Sequence, residues 1–584
     1  MDIQTLKYKY EKSHMRDLLA QLRRYEYLLA FLALTALTFF VHGEALKGSW
    51  RWDDGAHLNF AEAFSPWQYF FIPKAAQTFS AANVSPWNAL FYDINLSLFG
   101  MNAAGHYAHL LLAVAAGAML FYAVLRQWLA PLPAAVGAIA VLLGKPTLHI
   151  AAGLMHGHYA TGFAFTMAAI LGWTSYLRGG QKIWWFFSAL SYLLATTCKE
   201  VYVPLVILLI FLPVGNWSQR ARALLPFIFV AILYACWRYW LLGRLIGGYS
   251  QGAFDIHEAV RQLLRVPHLL FGSGFSAVAL MSALLTLLLW SGFKKRVNWP
   301  LLAVTLVLIG LPLLPLTAFP GINGPDRYLF VPWISFSALL AAVLPLTLQT
   351  FASLTGAALL LMALTSLHWH ERQNLKENLA YWDTIYRFAL SADKDHQAIF
   401  VATEFGGSDD GYKRLVLTGA RNTADLHTHD AQTGKLRIVD ESGQGLYRVQ
   451  AMGMQLFEYS DGRMKTMSAQ RVAEKLPGLP RMEVPKDIFL QAEIAFRSGM
   501  LHWKFGPHEG DYLVRHVSRT SAPRTYTLSR EGETPWNEDH PLRFSFCRSD
   551  IADDFDACSP VLEFDFKLKN TSSWQGPALI GIAQ

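Results

Sequence analysis

Apolar runs separated by short polar stretches fill the chain as far as residue 367, and short alternating runs replace them afterwards. Runs of this length predict membrane-crossing helices. The stretches 26–43, 106–125, 132–150, 157–177, 183–198, 200–214, 222–242, 274–292, 299–318, 328–348 and 350–367 give about eleven of them. Several fall short of the roughly 20 residues a straight span needs, so composition alone does not fix their ends. The texture changes near His368–Glu371. That break divides the chain into a basic tail (1–25), a transmembrane region (26–370) whose first long loop covers 44–105, and a C-terminal domain (371–584).

Beyond the break, Leu375, Leu379, Trp382, Ile385 and Phe388 recur near helical spacing and predict a helix over 371–395. Strands are predicted at 397–403, 414–418, 435–439, 447–452, 454–459, 501–505, 512–517, 525–528, 542–546 and 561–568, punctuated by Gly, Asp and Pro. The pattern predicts a mixed α/β domain, mainly β, that ends in a β-sandwich. Trp503, Tyr512 and Trp536 suit a sugar-binding platform, and a buried core uses the same residue types.

Charge sets the expected orientation. The tail carries Lys7, Lys9, Lys12, Arg16, Arg23 and Arg24, and no small-x-small cleavage site follows the apolar run after it. It reads as a signal anchor whose basic end stays in the cytoplasm. The positive-inside rule then puts Arg126, Arg178 with Lys182, Arg220 with Arg222, and Lys294, Lys295 and Arg296 in inner loops, while the inner loop at 348–350 carries no charge. An odd number of spans leaves the C-terminal domain outside, together with loop 44–105. A bacterial inner membrane with the domain in the periplasm fits this arrangement. The net charge of +7 is no nucleic-acid signature, because the basic residues sit beside apolar spans. Cys198 and Cys236 read as apolar fillers. Cys547 and Cys558 close a short polar loop and form either a disulfide, in an oxidising compartment, or two free thiols.

The candidate chemistry begins at Arg51-Trp-Asp-Asp-Gly-Ala-His57, just after the first span. Two adjacent carboxylates, Asp53 and Asp54, are costly to keep beside a bilayer and suggest acid/base work there. The alternative is that one of them N-caps the helix that follows. His57 is the histidine best placed for a substrate contact. Lys145, Lys199, Arg238, Arg244 and Arg327 fall on the outer side against the charge trend. Each could snorkel to the interface, or together they could make a cationic pocket for an anionic lipid head group. His106 and His109, three apart, and His149, His156 and His158 read as polar packing before metal ligands, since no His-Glu-x-x-His occurs.

Several strings carry a resemblance. Trp52-Asp53-Asp54, the series Ser85-Pro86-Trp87, Leu98-Phe99-Gly100-Met101-Asn102, His106 and His109, then Cys198-Lys199-Glu200 and Pro325-Asp326-Arg327-Tyr328-Leu329-Phe330-Val331-Pro332, occur in this order. The set resembles the GT-C glycosyltransferases, nearest to the protein O-mannosyltransferases and the transmembrane/tetratricopeptide O-mannosyltransferases, over about residues 26–370. It departs from them in Ser85-Pro86, where relatives tend to have Arg-Pro, and in lacking tetratricopeptide repeats.

The resemblance implies a polytopic α-helical membrane enzyme. Such an enzyme moves a sugar from a polyprenyl-phosphate donor to a hydroxyl of a protein or glycan acceptor on the outer face, with inversion. Asp53 would be the general base. Asp54 would orient the acceptor or a divalent cation such as Mg or Mn, which the sequence does not require, and His57 would help. Lys199 and Arg327, with Arg238 behind them, would hold the donor phosphate. Two other classes stay open: a transporter or flippase of lipid-linked sugar, and a non-catalytic sugar-binding scaffold. Transporters often show paired repeats and the sequence has none, while a scaffold would not need the acidic pair.

Overall fold

The computed structural model describes residues 24–80, 82–245, 256–271, 326–343, 351–393, 396–401, 410–428, 437–440, 453–475, 488–497, 500–516, 524–535, 542–552, 555–565 and 570–582, with isolated residues between them. Residues 1–23 of the tail, nearly all of the expected spans at 274–292 and 299–318, the basic cluster at 294–296, the loop at 348–350, Trp536 and most of the run 447–452 lie outside the described residues.

The first half is helical. α1 (Glu26–His42) leads into the loop that holds the acidic pair. That loop folds into α2 (Asp54–Ala63), two shorter helices and α3 (Pro86–Phe99). α4 (Ala103–Leu125), rich in Ala and Leu, returns along α1, and Arg126 at its end pairs with Glu26. Arg178 joins Gln127 there, so these basic groups gather at the end of the bundle away from Asp53.

The expected span at 132–150 is two helices, α5 (Pro131–Leu143) and α6 (Lys145–Ala152), bent by 54° at Gly144. Pro146 has no N–H to give the carbonyl four residues back, Leu142, and the helix breaks there. His42 Nε2 bonds that carbonyl at 2.9 Å instead. The indole of Trp333 packs into the bend, where a Cβ on residue 144 would lie 2.0 Å from its Nε1.

α7 (Gly157–Gly179), α8 (Lys182–Cys198) and α9 (Leu225–Leu242) complete this side, with α10 (Phe330–Val343) and α11 (Phe351–Ser391) beyond the undescribed stretch. Among the described residues, three helices are long and apolar enough to cross a membrane: Glu26–Lys47, Ala103–Leu125 and Trp217–Leu242. The bent pair makes a fourth if counted as one. Leu32, Phe40, Phe186 and Phe229 stand exposed on these and neighbouring helices. Such faces would drive aggregation in water and are at home in hydrocarbon, so the helical half is a membrane region.

The described residues do not carry the count of eleven spans. The run 200–214 is a 3-10 turn (Glu200–Tyr202) and the short helix Leu205–Phe211, too brief to cross alone. The boundary expected at His368–Glu371 falls inside α11, a single 41-residue helix. Past that point the helix alternates polar positions with Trp382, Ile385 and Tyr386, which pack into the core.

The strand-rich half sits on the same end of the bundle as the acidic loop. Its first part is a four-stranded sheet, order β2-β1-β3-β4, from β1 (Gln397–Val401), β2 (Arg437–Asp440), β3 (Gln455–Ser460) and β4 (Arg463–Thr466), with β1 parallel to both neighbours. The run 414–418, expected as a strand, belongs to α12 (Asp410–Thr428). Short apolar runs do not distinguish the two states, and here Val416, Leu417 and Ala420 bury one helical face against α2.

The rest is a sandwich. One sheet is β13-β5-β6-β9, from β5 (Phe489–Arg497), β6 (Met500–Gly506), β9 (Glu531–Pro535) and β13 (Thr571–Pro577). The other is β14-β11-β10-β7-β8 with β12 on β10, from β7 (Tyr512–His516), β8 (Arg524–Leu528), β10 (Leu542–Ala552), β11 (Phe555–Cys558), β12 (Leu562–Phe564) and β14 (Leu579–Ile582). Leu490, Ala492 and Ile494, alternate residues of β5 (Phe489–Arg497), point into its core with Phe505 and Phe546. Tyr512 is fully buried there, which makes it core and not platform.

Cys547 and Cys558 face each other across β10 (Leu542–Ala552) and β11 (Phe555–Cys558) and are joined as a disulfide. The bridge closes a loop with a sequence separation of 11. Removing it by Cys547→Ser with Cys558→Ser should destabilise the sandwich by about 2–3 kcal/mol. Limited proteolysis with and without reductant reads the loss as faster cutting of the strand-rich half.

Candidate active site

The acidic loop is fastened from behind before it presents anything in front. Arg51 makes a two-pronged pair with Asp383 of α11, Nε to Oδ1 and Nη2 to Oδ2, both at 2.7 Å. Its Nη1 donates to the Ala152 carbonyl at the end of α6, 2.6 Å away. Trp52 then takes a left-handed backbone with φ 43°, a conformation that side-chain-bearing residues avoid unless their surroundings enforce it. Here Tyr386 enforces it by donating to the Trp52 carbonyl at 2.8 Å, and the Trp52 indole donates to Asn378 Oδ1 at 3.2 Å. Gly55 follows, and α12 lies so close that a Cβ on it would come within 1.7 Å of the Val416 carbonyl oxygen. Only glycine permits this approach.

This kink sends the two aspartates in opposite directions. Asp54 is fully buried and turned inward. It accepts from the Tyr92 hydroxyl at 2.5 Å, from Arg51 N at 2.6 Å and from Met155 N at 3.2 Å. It is absent from the cleft wall, although the sequence reading has it orient the acceptor or a divalent cation, and it ties the loop to the turn that follows α6. Asp53 occupies the N-cap position of α2 without a capping hydrogen bond from its side chain, so the alternative reading of it as a cap does not hold.

Asp53 lines an open cleft of about 100 Å³. Around it stand His57, Ser80, Asn83, Ser85 and Asn88 from the first loop and the start of α3. Met155, His156, His158 and Tyr159 come from the α6–α7 turn, and Lys199, Arg327 and Tyr328 from the ends of more distant elements. Asp53, His57, Lys199 and Arg327 thus meet in one place from three widely separated stretches of sequence.

Lys199 is buried, 3.4 Å from Glu200 Oε1, with its Nζ 6.0 Å from the Tyr159 ring centre. Arg238 lies outside the cleft wall. Its Nη2 donates to Ala82 O at 3.1 Å and its Nε to Leu245 O, which tethers the loop one residue from Asn83. Lys145 pairs with Glu371 at 3.2 Å and does not line the cleft, and neither does Arg244. His106 Nε2 bonds Gly100 O and His109 Nδ1 bonds Asn95 Oδ1, as expected of polar packing.

Burial pushes the His57 imidazole down to about 4, with Asp53 pulling it up and Arg327 pushing it further down. For Asp54, burial raises the carboxyl to about 7, against the pull of the Tyr92 and Arg51 hydrogen bonds and the Arg51 charge.

A raised carboxyl binds protons in the folded state that it has lost in the unfolded one. Its contribution to stability is therefore largest below the ordinary value of 3.8 and fades as pH rises through about 7. Asp54→Asn should flatten that part of the Tm-against-pH curve. An unchanged difference between pH 4 and pH 7 would show that Asp54 is ionised throughout (melting in detergent reads it).

Among the described residues no three His, Cys, Asp or Glu side chains converge as a metal site.

No family model matches the chain, and no curated protein matches it. Solved structures do. ArnT from Cupriavidus metallidurans bound to undecaprenyl phosphate is 11% identical, with a TM-score of 0.45 over 79% of this chain and 96% of that one. The apo state of that protein gives 12%, 0.41, 80% and 97%. The archaeal oligosaccharyltransferase AglB from Archaeoglobus fulgidus, in complex with an inhibitory peptide and a dolichol-phosphate, gives 9%, 0.38, 90% and 76%. At these identities and scores the likeness carries no argument about the chemistry of this chain.

Proposed function

We propose that the chain is a GT-C type membrane glycosyltransferase that moves a sugar from a polyprenyl-phosphate donor to a hydroxyl acceptor. The observation that carries this reading is the shared cleft: one carboxylate, Asp53, faces two cations, Lys199 and Arg327, at the end of a membrane bundle. In the reaction, the acceptor oxygen forms a bond to the anomeric carbon and its proton passes to Asp53. The bond from that carbon to the phosphate oxygen breaks, and its electron pair leaves on the lipid phosphate. Lys199 and Arg327 hold the negative charge that develops there. Attack opposite the leaving group inverts the anomeric centre.

Arg126 and Arg178, at the opposite end of the bundle, support placing the cleft on the outer face. With that orientation the strand-rich domain is extracytoplasmic, in the periplasm of a bacterium, where its disulfide would persist. Its closeness to the acidic loop through α12 supports a role in presenting a protein or glycan acceptor.

The test incubates purified protein with a panel of polyprenyl-phosphate sugars and measures free lipid phosphate. Release with at least one sugar is expected. Sugar-lipid crossing of a reconstituted bilayer without release would instead favour a flippase.

A further inference from the structure

One wall of the cleft has no part in the proton and phosphate chemistry. Asn88, in the first turn of α3, is 4% exposed, and its buried Oδ1 has no hydrogen-bond partner among the described residues. His158, in the first turn of α7, is 6% exposed, and its Nδ1 is likewise buried and unpartnered. His57 Nδ1 makes a third such atom. All three side chains line the cleft beside Asp53, Lys199 and Arg327.

Buried polar atoms destabilise a fold when nothing completes them, and three on side chains that line one cleft are placed for a ligand to complete. The wall is also held in place. The His57 ring stacks on Phe79 at 4.7 Å and leans on Tyr92 at 5.2 Å, and the His158 ring lies 4.6 Å from that of Tyr159.

A carboxamide oxygen only accepts, whereas an imidazole nitrogen accepts or donates according to tautomer. Hydroxyl groups do both, so a polyhydroxylated ligand can complete all three atoms at once. We propose that Asn88, with His57 and His158, forms the subsite that reads the hydroxyl groups of the transferred sugar, and that Asn88 Oδ1 accepts a hydrogen bond from one of them. This assignment rests on reading the cleft as the donor site.

Charge narrows the ligand class. Among the described residues lining the cleft, Asp53 is the one carboxylate, and Lys199 and Arg327 stand opposite it. An ammonium-bearing sugar would meet two like charges there. A uronate would turn an anion toward the acceptor-only Asn88 Oδ1. An uncharged sugar meets neither obstacle.

The test titrates wild type and Asn88→Ala in detergent with a bare polyprenyl phosphate and with polyprenyl phosphates bearing uncharged sugars, a uronate or an amino sugar. Asn88→Ala should weaken the sugar-bearing lipid preferred by wild type about ten- to a hundredfold and leave the bare lipid phosphate unchanged. A deoxy donor lacking the hydroxyl that Asn88 reads should bind wild type poorly and the variant no worse, a coupling that general loosening of the helix would not produce. Asn88→Ser and His158→Asn stand beside it should the alanine variant fail to fold.

Equal weakening of bare and sugar-bearing lipid, or no weakening at all, overturns the assignment. Preference of wild type for the amino sugar or the uronate overturns the charge argument. Failure of wild type to release lipid phosphate from any donor removes the transferase reading instead, and the titration still decides the subsite.

Discussion

Asp53→Asn is expected to lower kcat by about a thousandfold while leaving donor affinity within a few-fold of wild type. The replacement keeps the shape of the side chain and removes its ability to take a proton. Asp53 provides no side-chain cap to α2, and the loop is tied through Arg51, Trp52, Asp54 and Gly55. The donor phosphate would still find Lys199 and Arg327. Asp53→Glu keeps the base and moves it outward, so it should retain more activity than Asn and less than wild type, because an ångström of misplacement is worth about a hundredfold. Rapid-quench measurement of lipid phosphate release over one turnover separates this chemical step from product release. Full turnover in Asp53→Asn, with the fold confirmed by melting, would remove Asp53 as the base.

The residues that face one another in the cleft were partly legible along the chain. Asp53, Lys199 and Arg327 each sit in a short string of recognisable order, and each is a charge beside an apolar run, which is costly enough to stand out. Asp54 carried the same signal, and sequence could not separate it from its neighbour. What separates them is the left-handed backbone of Trp52, which Tyr386 enforces from more than 300 residues away. Asn88 gave no signal, since one Asn at a helix start reads as ordinary punctuation, and its meaning depends on where α7 begins. The bend at Gly144 could have been read, because a Pro two residues beyond a Gly is a helix breaker even within an apolar run. The β5 strand could also have been found from its alternation, Leu490, Ala492 and Ile494. By contrast, the strand expected at 414–418 became helix because burial against α2 outweighed local preference.

Asp383→Ala is expected to destabilise the protein by about 3 kcal/mol and to reduce kcat at the same time. The cost comes less from losing an attraction than from what stays behind. Arg51 has a side-chain exposure of 4% and Asp383 engages both its Nε and its Nη2, so its buried charge would lose the carboxylate that pairs with it and keep only the more distant pull of Asp54. Ser49 N would lose its partner too, as it donates to the same Oδ1 at 3.0 Å. Freed from α11, Arg51 would loosen its hold on the Ala152 carbonyl, and the loop that aims Asp53 and the turn that carries His156 would shift together. Two comparisons separate this from plain instability. The disulfide-free variant should also melt earlier, yet keep its kcat, because the bridge joins two strands of the sandwich and takes no part in the ties of Arg51. The double variant Arg51→Met with Asp383→Leu should be more stable than Asp383→Ala alone, since it removes the stranded charge, but should remain slow because nothing then holds the loop. If Asp383→Ala lowered Tm and left kcat untouched, the ion pair would be a stability element alone, and the aiming of Asp53 would have to come from Trp52, Tyr386 and the Gly55 contact.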